Sequence, residues 1–169
     1  PLTIQGPGMT NLALDGNANG RHFAAYPGGA PPCPATSGPA DFVVTLSGMT
    51  LMNGRTNQAN TAGGSIFSVY SLVLDGVDLR NNAAAFGGAV AFHIQFPGQS
   101  LTIRDSLISG NEARTTVGAD TFDRVGGAIV VWDHCATPRQ PALVTVERTR
   151  MLQNRVKPGS RDGRGGAIG

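Results

Sequence analysis

The chain has 169 residues, 24 of them Gly and 11 Pro, and only 14% carry charge, against roughly 25% in ordinary globular domains. That composition excludes a bundle of long helices, which needs Ala, Leu, Glu and Lys at 3.6-residue spacing, and leaves a mostly β class. With 40% hydrophobic residues and a formal charge of +2, the chain also falls outside the range of disordered sequences and is long enough for one domain with one core.

The charge is unevenly spread. Residues 1–138 hold six Arg against nine acids, whereas 139–169 hold seven basic residues against Glu147 and Asp162. The pI of about 9.0 therefore belongs to the end of the chain and not to a nucleic-acid-binding face, and no nucleic acid partner is expected. No stretch approaches the roughly 18 apolar residues of a spanning helix, so no transmembrane segment is expected in this chain. No signal peptide is visible in PLTIQGPG, and a secretory signal would have been removed or lie upstream.

In chain order, the first strand signals are Leu2 to Ile4 and Leu12 to Leu14, with Arg21 to Phe23 where a third would fall. Residues 25–41 hold five of the 11 prolines and read as a surface excursion, because the pattern resumes in phase at Phe42. From there one phrase recurs: FVVTLSGMTLMNG at 42, SLVLDGVDLRNN at 71, SLTIRDSLISGN at 100 and ALVTVERTRMLQN at 142. Each contains an alternating strand, a short break, a second apolar step and an Asn. A Gly-Gly pair then precedes a small and a β-branched residue, in GGSI, GGAV, GGAI and GGAI.

Stacking the phrases aligns Val44, Leu72, Leu101 and Val144, and two residues on Leu46, Leu74, Ile103 and Val146. Thr45, Val73, Thr102 and Thr145 lie between them and point the other way on a strand. A second column holds Leu51, Leu79, Ile108 and Leu152, and a third holds Ile66, Val90, Ile129 and Ile168. Equivalent residues recur after 28, 29 and then 43 positions, which puts a loop insertion at 112–125.

Three short strands joined by Gly and Asn cannot bury a face alone, whereas stacked repeats pairing about 4.8 Å apart can. The expected fold is all-β: a single-stranded parallel β-helix (solenoid) of about five turns with three short strands per turn. It forms one domain over 1–169 with loop insertions at 25–41 and 112–125. Asn53, Asn81, Asn111 and Asn154 suit one corner, since Asn tolerates the left-handed conformation and bonds to nearby backbone. Gly63, Gly64, Gly87, Gly88, Gly126, Gly127, Gly165 and Gly166 suit another. No amphipathic capping helix is visible at either end, so the chain is expected to be a fragment of a longer protein or to stack end to end as a filament subunit.

The phrases LTIQGPG…LALDGNANGRHF, VTLSGMTLMNG…GGSI and SLTIRDSLISGNEA…GGAI resemble the repeats of secreted bacterial right-handed parallel β-helix proteins. These include polymorphic outer membrane protein and autotransporter-passenger repeats within the pectin-lyase-like superfamily. The resemblance covers essentially the whole chain and is specific for fold. For activity it is unspecific, since the family mixes adhesins, structural passengers and polysaccharide enzymes. It implies a secreted or surface-displayed protein, and it supplies the right hand of the helix together with the general preference for right-handed crossovers.

A charged column is the main candidate for chemistry. Asp75, Arg104 and Glu147 fall on the outward side of successive first strands, with Asp105 and Arg148 just after them. In polysaccharide-cleaving members of that family this face carries carboxylates with an Arg or Lys, because elimination at a uronate needs charge neutralisation and a base. As a structural column, alternating charges simply pair. The family's paired-carboxylate motif with a His-Gly partner is missing from the sequence.

Asp120 and Asp123 partly match a Ca²⁺-binding nonapeptide, but one copy offers too few oxygens and a solvated loop explains them as well. No other cofactor is expected. Asp133-His134-Cys135 lacks partners at metal-ligand spacing, with His22 and His93 on other repeats. Cys33 and Cys135 lie in connections on the same edge of the stacked repeats and are expected to form a disulfide in an oxidising compartment, the alternative being two isolated thiols. Arg148, Arg150, Arg155, Lys157, Arg161 and Arg164 form either a solvated face or a contact for an anionic polysaccharide or other cell-surface component. The expected function is that of a non-enzymatic rigid stalk or adhesive passenger. A polysaccharide lyase or hydrolase and a stacking filament subunit are the alternatives.

Overall fold

Alternating apolar and polar residues flanked by Gly and Asn set a succession of short strands, and nothing in their composition favours helix. The computed structural model describes residues 1–26, 42–56, 61–95, 98–114, 126–133, 141–157 and 166–169. Among these there is no helix. The opening segment gives β1 (Leu2–Gln5), β2 (Ala13–Asp15) and β3 (Phe23–Ala25). The next repeat gives β4 (Val43–Ser47), β5 (Thr50–Met52) and β6 (Ile66–Ser68). Then come β7 (Ser71–Asp75), β8 (Asp78–Arg80), β9 (Ala83–Ala84) and β10 (Val90–Ile94). The fourth segment holds β11 (Ser100–Arg104), β12 (Leu107–Ser109), β13 (Glu112–Ala113) and β14 (Ile129–Asp133). The last holds β15 (Leu143–Glu147), β16 (Arg150–Leu152) and β17 (Arg155–Val156).

Among the described residues four sheets result, and every pairing in them is parallel. The first runs β1-β4-β7-β11-β15, the second β2-β5-β8-β12-β16, the third β3-β6-β10-β14 and the fourth β9-β13-β17. Each sheet thus takes its strands from successive repeats in chain order. Register follows the aligned apolar columns: Val44 pairs with Leu72, Leu72 with Leu101 and Leu101 with Val144. Ile66, Val90, Ile129 and Ile168 likewise stand opposite one another.

One apolar core is shared by three sheets. Leu46, Leu74 and Ile103 come from the first, Leu51, Leu79 and Ile108 from the second, and Ile66, Val90, Phe92 and Ile129 from the third. A smaller cluster, with Ala62, Ala85, Phe86, Ala91, Ala113 and Val130, fills the other side of the third sheet. This second cluster explains why Val90, Ala91 and Phe92 are all buried although they alternate in direction.

Several expectations are revised. The repeats carry a fourth sheet where three strands were expected, because the backbone past the Asn corner still finds partners. Ala83 N–H donates to Gly54 O, Glu112 N–H to Asn82 O and Arg155 N–H to Asn111 O. The third strand of the opening segment is Phe23–Ala25 and not Arg21 to Phe23. Met151, not Leu152, stands opposite Ile108. β3 and β13 reach into the edges of the insertions placed at 25–41 and 112–125.

The four corner asparagines divide between two adjacent columns. Asn53 and Asn81 have φ of 56° and 58°, and Gly110 and Gln153 hold the same left-handed position in the later repeats. One residue on, Asn82, Asn111 and Asn154 form a hydrogen-bonded ladder, with Gly54 at its start. At the other corner, Gly64 N–H donates to Gly88 O and Gly88 N–H to Gly127 O, both at 3.1 Å. Gly63 and Gly87, just before them, have φ of 70° and 55°. Gly165 lies outside the described residues.

Candidate functional site

The charged column forms as the alternation dictates. Ser47, Asp75, Arg104 and Glu147 stand opposite one another on the outward side of the first sheet. Arg104 Nη2 donates to Asp75 Oδ2 at 2.9 Å. At the corner that follows, Asp105 and Arg148 take left-handed conformations, with φ of 51° and 43°. Arg148 donates through Nε to Asp105 Oδ1 at 2.7 Å and through Nη2 to Oδ2 at 2.8 Å, a two-pronged pair, with Glu147 3.6 Å from Nη1.

These pairs set the protonation states. The hydrogen bond from Arg148 holds the Asp105 carboxyl below its ordinary value. Hydrogen bonds with Asp75 and Asp105 push the Arg104 and Arg148 guanidiniums up. A general base for proton abstraction works best with a pKa near the operating pH, and Asp105 is displaced the opposite way. Arg104, the group that would neutralise a uronate, already has its charge met by Asp75. As arranged, these pairs tie the β7 repeat to the β11 repeat and the β11 repeat to the β15 repeat.

Glu112, on the central strand of the fourth sheet, extends that pattern. Its carboxylate is buried and accepts from Arg155 Nε at 2.8 Å and from Arg114 Nε. Burial acts to raise its pKa, but the hydrogen bonds from Arg155 and Arg114 outweigh it and hold the carboxyl below the usual range. Of the Arg-rich end, Arg148 and Arg155 are thus engaged with Asp105 and Glu112 of the preceding repeat. Arg161 and Arg164 lie outside the described residues.

Cys33, Cys135, Asp120 and Asp123 also lie outside them, so the disulfide and the Ca²⁺ candidate fall on undescribed positions. Among the described residues no group of three or more His, Cys, Asp or Glu is placed to hold a metal ion, and no helix is long and apolar enough to cross a membrane.

Two features escape sequence reading. A shallow polar groove of about 180 Å³ opens beside the left-handed corner, lined by Asn17, Ala18, Asn53, Gly54, Arg55 and Asn81. The other is His22, which sits 3.0 Å from both Ser65 Oγ and Leu14 O. A carbonyl only accepts, so Nε2 carries the proton and donates to Leu14, while Nδ1 accepts from the Ser65 hydroxyl. This Ser-His pair is no nucleophile, because Ser65 is fully buried. It joins the opening segment to the repeat above.

Burial lowers the His22 pKa from 6.5, against the hydrogen bond to Leu14, which raises it. The neutral ring is therefore favoured in the fold. Its stabilisation is complete above about pH 6.5 and is lost as pH falls through the lower folded value, since the unfolded chain takes up the proton first. Thermal midpoints are expected to drop as pH falls below about 6.5, and His22→Gln should flatten that step. The carboxylates Glu112 and Asp105, held low, act in a separate window below about pH 4.5. An unchanged slope in His22→Gln would assign the step to another group.

Compared with protein-family models, with curated protein sequences and with solved structures, the chain shows no significant match to any of them.

Proposed function

We propose that the four sheets are faces of one right-handed parallel β-helix of about five turns, and that it acts outside the cell or on its surface as a non-enzymatic rigid stalk or adhesive passenger. The observation that carries this reading is the Asn82-Asn111-Asn154 ladder, in which Asn82 and Asn111 each bond both to the next amide and to backbone of the preceding repeat, and Asn154 donates to Ile108 O. With Gly54 at its start, such a ladder couples the four repeats after the opening segment along one line. Strand order and register support the coil, since all five segments return to the first and second sheets in the same phase. The resemblance to pectin-lyase-like passenger repeats supports an extracellular place and the right hand.

The charged column favours this reading over a lyase, because its two cations are spent on carboxylates of neighbouring repeats. The test is incubation with acidic polysaccharides, followed for unsaturated or reducing-end products. None is expected. Products that appear with the wild-type chain and vanish in Arg104→Ala would overturn the non-enzymatic reading.

A further inference from the structure

On the side of the third sheet that the second apolar cluster fills, Phe67 and Trp132 pack against that cluster yet stay partly exposed, and aromatic rings gather at its rim. Phe67 on β6, His93 on β10 and Trp132 on β14 gather across three consecutive strands, and Tyr26 follows β3. Ring centroids are 6.1 Å apart for Tyr26 and Phe67, 6.3 Å for Phe67 and Trp132, and 5.2 Å for His93 and Trp132. Register puts Ala91 between Phe67 and the β14 strand, and its small side chain lets the Phe67 and Trp132 rings meet above it. Tyr26 is 54% exposed, and the other three rings are partly exposed.

A cation completes the strip. The Arg21 guanidinium lies 5.1 Å from the Phe67 ring centroid. Its Nε and Nη2 donate to the carbonyls of Gly63 and Ala62. Carbonyls orient a guanidinium without neutralising it, so Arg21 keeps its positive charge beside the rings, and among the described residues it makes no ion pair of the kind that engages Arg104, Arg148 and Arg155.

We propose that Tyr26, Phe67, His93 and Trp132, with Arg21, form a platform for an acidic glycan. Ring faces suit the flat C–H faces of sugars, and the phenol and indole N–H at their rims suit hydroxyls. Arg21 supplies charge complementarity for a sugar carboxylate or sulfate. Because the rings stand on successive strands of one sheet, the platform is formed before binding, and little ordering is left to the encounter. An aliphatic protein partner would match such polar-rimmed rings less well. The inference rests on the reading of the chain as a binding scaffold and gives that scaffold a ligand class and a face.

The chain has a single Trp, so Trp132 emission reports directly on the strip. Titration with oligogalacturonate is expected to change it saturably, with affinity that falls as salt rises, while a neutral dextran oligosaccharide of equal length does little. Tyr26→Ala, at an exposed position, and Arg21→Gln should each weaken binding about tenfold, the scale of one lost stacking or cation contact, with melting curves confirming that both fold. Silence at millimolar oligogalacturonate, an equal response to dextran, or binding untouched by both variants would overturn the platform. So would light scattering that grows with concentration and disappears in Tyr26→Ala, which would assign the strip to a second copy of the chain. Silence of Trp132 leaves the scaffold reading standing, whereas product release would sink that reading and leave the platform.

Discussion

Replacing Asn111 with Leu is expected to cost about 3 kcal/mol or more, enough to unfold a marginal domain. The residue is fully buried. Its Oδ1 accepts from Asn82 N–H at 2.9 Å and from Asn82 Nδ2 at 3.0 Å. Its Nδ2 donates to Leu79 O and to Asn154 Oδ1, both at 2.9 Å. Leu fills a similar volume but makes none of the four bonds. The Asn82 N–H is left facing hydrocarbon, and a buried polar group without a partner costs about 1–3 kcal/mol.

Urea unfolding measures the effect as a lower midpoint at unchanged slope. The neighbouring column provides the control, because Asn81 is exposed and contributes mainly a left-handed backbone at φ 58°. Asn81→Ala should therefore cost only about 1 kcal/mol, the strain of an L residue with a Cβ in that region. Equal losses at the two sites would mean that the ladder adds nothing beyond corner geometry. Asn111→Asp sharpens the point: the introduced carboxylate faces Leu79 O and Asn154 Oδ1 with no proton to give. Its folded-state pKa should be raised, and the deficit should shrink as pH falls and the carboxyl regains a proton.

Those two columns also mark how far the sequence can be read. The period-2 columns through Val44 and Leu46 were legible because alternation is a local signal, and their pairing follows once the repeats are stacked. Corners were legible only to within a residue. Asn81 and Asn82 both offer an amide, and the first repeat has Gly54 at the ladder position, so no spacing says which column bonds. The fourth sheet is hidden for a different reason: a two-residue strand such as Ala83–Ala84 or Glu112–Ala113 shows no alternation. The charged column was visible from the repeat alignment, but whether its charges pair or stay free is a matter of side-chain direction. The aromatic strip was not visible, because Tyr26 lies outside the recurring phrase and Phe67 meets Trp132 only through the register of three strands. His22 and Ser65 are likewise joined across 43 positions by stacking alone.

Gly88→Ala should destabilise the chain by about 3 kcal/mol, at the top of the usual range for overpacking. A Cβ there would stand 2.5 Å from the nitrogen and 2.7 Å from the carbonyl carbon of Glu112, and closer still to the oxygen of Gly127. All three are backbone atoms, so no side chain can swing away. Relief would require the strand β13 to separate from the Gly-Gly corner, and that movement would disturb the Glu112 carboxylate held by Arg155 and Arg114. Gly→Ala elsewhere should behave differently, which makes the comparison informative. Nothing lies within 4 Å of a Cβ built on Gly20, and its φ is ordinary, so Gly20→Ala should be neutral or slightly stabilising through the unfolded state. Gly98 also has open space but sits at φ 80°, and Gly98→Ala should cost about 1 kcal/mol of backbone strain. Thermal or urea midpoints in the order Gly20, Gly98, Gly88 would show that close backbone approach, and not glycine's flexibility, selects the recurring pair. A tolerated Gly88→Ala would mean that the repeats stack more loosely at this corner than the distances require.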